Sequence, residues 1–181
     1  ATPGCAAVSD GGLGDGTAAG GTGATLLSGG FLAVEKLDAI GAKMGAPDRK
    51  VVCLIGDGGL LSVVGALTTA VELNIPVVWV LFNNFCYSTI RTVGSTYFNN
   101  KYGTEFRTPD GELYNPDFMQ LAESFGIASA LVSEPDEVPA ALEDAFSRDV
   151  PFLLEVRTRG DLPMPRTGYW DIADFLQGGN D

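Results

Sequence analysis

Two short polar turns carry the clearest chemical signal in this sequence. Gly56-Asp57-Gly58-Gly59 follows the apolar run Val51-Val52-Cys53-Leu54-Ile55, and Asn83-Asn84 follows the apolar run Val77 to Phe82. Continuous apolar runs of this length suit strands buried on both faces. Between them, Leu60 to Leu73 reads as a helix closed by Asn74-Ile75-Pro76. A strand, a helix and a strand of these lengths imply a right-handed parallel crossover. Both turns then lie at the carboxyl ends of adjacent parallel strands, where open α/β sheets place their ligands. Asp57 and Asn84 are 27 positions apart and can converge on one point. A carboxylate with an amide carbonyl is hard-oxygen chemistry, suited to Mg²⁺ or Ca²⁺ and poorly suited to zinc or copper. Two protein side chains leave coordination positions for water and for the oxygens of a diphosphate. Gly58 and Gly59 let backbone N–H groups approach such phosphates, and a helix starting at Leu60 presents its positive end.

Either turn alone is an ordinary loop element. Their joint placement after two buried strands is what gives them weight, and the chain contains its own control. Gly14-Asp15-Gly16 repeats the tripeptide, but no apolar strand precedes it and the residue 27 positions on is Ala42. That copy reads as plain loop.

Composition narrows the chemistry further. The 181 residues suffice for one domain with a full core, and 45% hydrophobic against 19% charged residues fits a globular α/β chain. The net charge is −12, so the clustered cations that a nucleic-acid backbone requires are not expected. Apolar runs such as Val77 to Phe82 are too short to span a bilayer, and no membrane association is expected. The sequence contains no histidine, which excludes Ser-His-Asp and Cys-His catalysis and His-ligated metals within these residues. Cys5, Cys53 and Cys86 are odd in number and share no metal-ligand spacing. A reducing compartment, the cytoplasm, is expected, and the first residues lack a signal-peptide pattern.

Ten of the 24 glycines fall in the first 30 residues, so 1–27 reads as a Gly-rich flexible arm. An alternating α/β domain follows over 28–160, and 161–181 reads as a tail that wraps the surface and is anchored by Tyr169-Trp170-Asp171. Within the domain, helices are expected over Leu32 to Met44, Asp117 to Phe125 (after Pro116, capped by Gly126) and Pro135 to Phe146. Strands are expected over Ala130 to Ser133 and Phe152 to Val156. Asn83 to Tyr114 shows poor periodicity, with Tyr97, Phe98, Tyr102 and Phe106 expected to cluster beneath a long loop.

The paired turns, with the flanks Ala39-Ile40-Gly41-Ala42-Lys43 and Ala46-Pro47-Asp48-Arg49-Lys50-Val51-Val52, resemble the diphosphate-binding domain of thiamine-diphosphate (ThDP) enzymes of the acetolactate synthase and 2-oxoacid decarboxylase superfamily. The resemblance covers roughly 28–156. It implies a three-layer, doubly wound parallel sheet with helices on both faces. It also implies that Asp57, the Asn84 side chain and the main-chain carbonyl of Cys86 hold Mg²⁺, and that Gly56, Gly58 and Gly59 lie at the diphosphate. Gly59 stands where many relatives have Ser.

Upstream, the resemblance assigns Gly30 to the aminopyrimidine amine and Leu32 to propping the cofactor in its bent form, although Leu32 equally suits a helix core. Downstream, Tyr87, Ser88 and Thr89 would line the cofactor. Thr89, Ile90 and Arg91 would shape the substrate pocket, with Arg91 either facing a substrate carboxylate or forming a surface ion pair.

The implied activity is decarboxylation of a 2-oxo acid, with or without joining the remaining fragment to a second carbonyl. The activating glutamate of this superfamily sits on a separate pyrimidine-binding domain, which no segment here resembles. Glu35, Glu72 and Glu105 are acidic but lie in no supporting motif. No catalytic residue is therefore assigned to this chain. The expected partner is a pyrimidine-binding chain in a hetero-oligomer, a heterotetramer or larger. The alternative is a non-catalytic structural or regulatory subunit of the same fold.

Overall fold

The apolar runs become the central strands of one sheet. The computed structural model describes residues 6–8, 25–28 and 35–160. Its strands are β1 (Ala6–Val8), β2 (Thr25–Ser28), β3 (Val51–Gly56), β4 (Val77–Asn83), β5 (Ala128–Val132) and β6 (Phe152–Arg157). They lie in the order β1-β2-β3-β4-β6-β5, with β1 antiparallel to β2 and the other neighbours parallel. Two of these strands fall at 6–8 and 25–28, in the stretch read as an arm, and residues 9–24 lie outside the described residues. So does the tail, 161–181.

The helices are α1 (Glu35–Gly45), α2 (Asp57–Ser62), α3 (Ala66–Glu72), α4 (Ser88–Phe98), α5 (Phe118–Ser124) and α6 (Val138–Ser147). The strands alternate their side chains between two cores. Val51, Cys53 and Ile55 of β3, Val77, Trp79 and Leu81 of β4 and Leu153 of β6 pack with α1, α2, α3 and α5. Val52, Val78, Val80, Phe152 and Leu154 pack with α6 on the other face. Topology explains this division. The chain passes from β2 to β3 to β4 in one direction and continues to the edge strand β5, then turns back to insert β6 beside β4. A right-handed crossover travelling backwards must put its helix on the opposite face, which is where α6 lies. The expected three-layer, doubly wound α/β fold is the observed one.

Two expectations change. The helix read over Leu60 to Leu73 is two helices, because the β-branched Val63 and Val64 and then Gly65 interrupt it. The first of these begins at Asp57 rather than Leu60, so the Gly56-Asp57-Gly58-Gly59 turn includes a helical first turn. The stretch 83–114, read as aperiodic, contains α4, which buries none of its residues; its apolar Ile90, Val93, Tyr97 and Phe98 nonetheless recur at helical spacing, a signal that the sequence reading missed. No helix among the described residues is long and apolar enough to cross a membrane.

Burial sets the expected cost of substitution. Leu153 is fully buried at the sheet centre, whereas Leu131 on edge strand β5 is 46% exposed. Leu153→Ala is expected to lower unfolding free energy by about 2–5 kcal/mol, and Leu131→Ala by less than about 1 kcal/mol, measured by denaturant titration.

Candidate functional site

Asp57 stands one residue beyond the end of β3, and Asn83 ends the neighbouring β4. The Asp57 side chain is 1% exposed, so its carboxylate must find donors within the protein. Oδ1 accepts from the Gly58 N–H at 2.8 Å. Oδ2 accepts from the Phe85 N–H at 2.7 Å, the Asn84 N–H at 3.2 Å and Asn115 Nδ2 at 2.9 Å. The turn after β4 therefore wraps the carboxylate of the turn after β3. Phe85 takes a left-handed backbone, φ 60°, an uncommon conformation for a side chain of this size. Burial raises the Asp57 carboxyl above its ordinary pKa, and the bonds from Gly58, Asn115, Phe85 and Asn84 offset only part of that rise.

Asn84 meets Asp57 through its backbone N–H, and its side chain turns to Cys86 and Ser88: Oδ1 accepts from the Cys86 N–H at 3.2 Å, and Nδ2 donates to Ser88 Oγ at 2.6 Å. Cys86 is buried, with Sγ 3.4 Å from Asn84 Oδ1 and 3.2 Å from Ser88 Oγ. The loop is pinned from outside by residues 104–106. Tyr87 N–H donates to the Thr104 carbonyl, Phe106 N–H donates to the Phe85 carbonyl, and Cys86 bridges Glu105. Ser88 and Thr89 open α4.

Glycines shape both sides of the site. A Cβ on Gly58 would run into the Tyr87 ring, which itself meets Phe106 edge-on at 4.8 Å. A Cβ on Gly59 would come within 3.2 Å of Ile55 Cγ1. Gly160, which the sequence did not single out, sits where a Cβ would meet the Asn84 carbonyl oxygen at 2.5 Å. Gly30 and Leu32 lie outside the described residues.

Other expectations resolve as follows. Arg91 forms an ion pair, its Nη1 3.1 Å from Glu105 Oε1, and Arg107 holds the other oxygen of Glu105 at 2.8 Å. The aromatic cluster expected under the loop does not form. Tyr97, Phe98 and Tyr102 are 39%, 69% and 94% exposed, and only Phe106 packs into the site, against Tyr87. Asn115 was missed, because no local pattern marks a residue that reaches a partner 58 positions away.

A divalent cation fits this donor set. An ionised carboxylate offers about four acceptor positions. Three donors crowd Oδ2, while Oδ1 serves one and keeps capacity, and Asn84 adds a neutral oxygen. With one carboxylate in the set, an Mg²⁺ ion needs a further anion to balance it, which a diphosphate provides.

A doubly wound sheet with a buried carboxylate and an asparagine pair at neighbouring strand ends defines a class of α/β cofactor-binding domain. The chain belongs to the thiamine pyrophosphate enzyme family, matching its C-terminal TPP binding domain over residues 38–156. It is 34% identical over 137 residues to 3D-(3,5/4)-trihydroxycyclohexane-1,2-dione hydrolase of Bacillus licheniformis, covering 76% of this chain and 21% of that protein. It is 40% identical over 118 residues to the probable acetolactate synthase large subunit of Methanococcus aeolicus, covering 65% and 19%. Among solved structures it resembles the thiamine diphosphate-dependent 4-hydroxybenzoylformate decarboxylase of Rhodococcus jostii RHA1. The TM-score is 0.61 at 33% identity, covering 71% of this chain and 23% of that one. The chain thus spans about a fifth of the length of the curated relatives it matches.

Two outcomes are expected from this geometry. Gly160→Ala should press on the Asn84 carbonyl and cost about 1–3 kcal/mol by thermal or denaturant unfolding, because the obstruction is backbone. The Arg107 hydrogen bond, then the charges of Arg107, Arg91 and Lys101, hold Glu105 below the usual carboxylate range, against a smaller opposing effect of burial. A depressed carboxylate stabilises the fold above its unfolded pKa and loses that contribution as pH falls through the folded value. Glu105→Gln should therefore cost up to about 1 kcal/mol at neutral pH, the scale of a partly exposed pair. The difference should vanish on acidification below the ordinary carboxylate range, read from paired unfolding curves across pH.

Proposed function

We propose that this chain is the half of a ThDP-dependent active site that holds the diphosphate and Mg²⁺, in an enzyme that decarboxylates a 2-oxo acid, with or without joining the remaining fragment to a second carbonyl. The observation that carries this reading is the buried Asp57 carboxylate, fixed by the Asn84-Phe85 turn with Oδ1 still able to accept. Asp57 and the Asn84 side chain would hold Mg²⁺, together with the Cys86 carbonyl. Gly56, Gly58 and Gly59 would admit the diphosphate, and Tyr87, Ser88 and Thr89 would border the cofactor. When bound, ThDP supplies a thiazolium that accepts the electron pair left as CO₂ departs. The residues of this chain orient that group and neutralise its phosphates.

The activating glutamate is assigned to a pyrimidine-binding domain outside these residues, in a partner chain of a hetero-oligomer or elsewhere in a longer polypeptide. Two features support this assignment. Glu105 is occupied by two guanidinium groups. Ile90, Phe98, Tyr102, Leu113 and Tyr114, all in the segment that follows Asn84, are also exposed, which suits a covering domain. The buried thiols Cys53 and Cys86 accord with a reducing cytoplasm.

Asp57→Ala is expected to abolish Mg²⁺-dependent ThDP binding by calorimetry while circular dichroism stays native. Asp15→Ala should bind like the parent chain. Equal loss in both variants, or none in Asp57→Ala, would sink the assignment.

The chain alone should not turn over 2-oxo acids with ThDP and Mg²⁺. Adding the pyrimidine-binding partner should give turnover, and Glu→Gln at the partner's activating position should remove most of it, because that carboxylate drives proton transfer at the aminopyrimidine. Robust decarboxylation by the chain free of any second polypeptide would refute the half-site. ThDP binding with no turnover in the complex would favour the non-catalytic alternative.

A further inference from the structure

Glu155 is a buried charge at a position the sheet reserves for apolar packing. It lies two residues after Leu153 on β6, so both face the core beneath α5, and it is 1% exposed. Its partners lead to the site. Glu155 Oε1 accepts from Arg157 Nε and from Asn83 Nδ2, each at 2.7 Å. A carboxylate only accepts, so Asn83 must turn its NH₂ toward Glu155 and its Oδ1 away. That Oδ1 accepts from Asn115 Nδ2 at 2.8 Å, and the same NH₂ group donates to Asp57 Oδ2 at 2.9 Å. The two hydrogens of one amide serve two acceptors. Reversing Asn83 would set NH₂ against NH₂ and release Asn115 from its orientation.

Asn115 is held from its own side as well. It precedes Pro116, which restricts its backbone, and Asp117 caps α5 by accepting from the Met119 and Gln120 N–H groups.

We propose that Glu155, Asn83 and Asn115 are positioning residues for Asp57, forming a hydrogen-bond chain from β6 across β4 to β3 that occupies Oδ2 and leaves Oδ1 to face a cation. The proposal rests on the reading of Asp57 as an Mg²⁺ ligand. Outer partners of metal ligands orient them and tune their affinity, and this chain has the polarity to do so. Asp57 Oδ2 is filled by Asn115 and the Asn84-Phe85 backbone, so the carboxylate is not free to rotate.

The test titrates Mg²⁺ into the full chain at fixed ThDP by calorimetry, for the parent, Asp57→Ala, Asn115→Ala, Glu155→Gln and the double variant of the last two. Asn115→Ala and Glu155→Gln should each raise the half-saturating Mg²⁺ concentration about tenfold or more. At saturating Mg²⁺, ThDP affinity should return to the parent value. The double variant should lose less than the product of the single losses, because both act through one chain of bonds. Thermal unfolding accompanies each titration. Asn115 is only half-buried, so its truncation keeps the test decisive if Glu155→Gln fails to fold.

A parent-like titration by folded Asn115→Ala, alongside loss in Asp57→Ala, would overturn the positioning role and leave the Asp57 reading intact. A loss that saturating Mg²⁺ does not restore would mark Asn115 as merely structural and also overturn it. Parent-like binding by Asp57→Ala, or no Mg²⁺-dependent binding by the parent, would overturn the Asp57 reading and this proposal with it.

Discussion

Burying a carboxylate forces the protein around it to supply donors, and Asp57 shows how far that demand reaches. Its oxygens take N–H groups from its own helix, from the turn after β4 and from the Asn115 side chain ahead of α5. Each donor needs its segment fixed in turn. The backbone of Phe85 goes left-handed, the 84–87 loop is tied down by 104–106, and Asp117 caps α5 two residues beyond Asn115. Strand ends that would otherwise be ordinary loops become one connected polar unit resting on an apolar sheet.

The parts legible in the sequence were those with local causes. The runs 51–55 and 77–82 announced β3 and β4 because strands buried on both faces need no alternation, and the turns after them announced Asp57 and Asn84. Gly126 was readable as the stop after α5, and it sits at φ 75° with Ile127 N–H closing on the Ala122 carbonyl. What escaped had causes elsewhere in the chain. Helix α4 is the exception: its apolar Ile90, Val93, Tyr97 and Phe98 recur at helical spacing, but the polar residues and Gly94 between them obscured the stripe. Asn115 and Glu155 take part through partners 58 and 72 positions away, a separation that no window of sequence displays. Asn83 was visible as half of an asparagine pair, but its task is settled by β6.

The family shown here fixes the kind of cofactor, while the chain covers about a fifth of its curated relatives. The named relatives themselves differ, with a hydrolase, a synthase subunit and a decarboxylase among them. That spread is physically reasonable. A diphosphate clamp acts on a part of the cofactor far from the bond being made or broken, so the same clamp serves several outcomes. Arg91, the nearby cation considered for an acid substrate, is held by Glu105 in this structure.

The strand order has a consequence for how the protein comes to be built. β6 pairs with β4, yet Phe152 and its partner Val78 are separated by everything from the Asn84 turn through α6. Contacts across such a span form late, because closing a long loop costs entropy before pairing rewards it. During synthesis, Asp57 and the asparagine pair emerge well before the glutamate of β6. A nascent chain therefore holds Asp57 and the asparagine pair without the strand that braces Asn83, and their geometry is complete only when β6 slots between β4 and β5. Assembly of this site is coupled to completion of the domain.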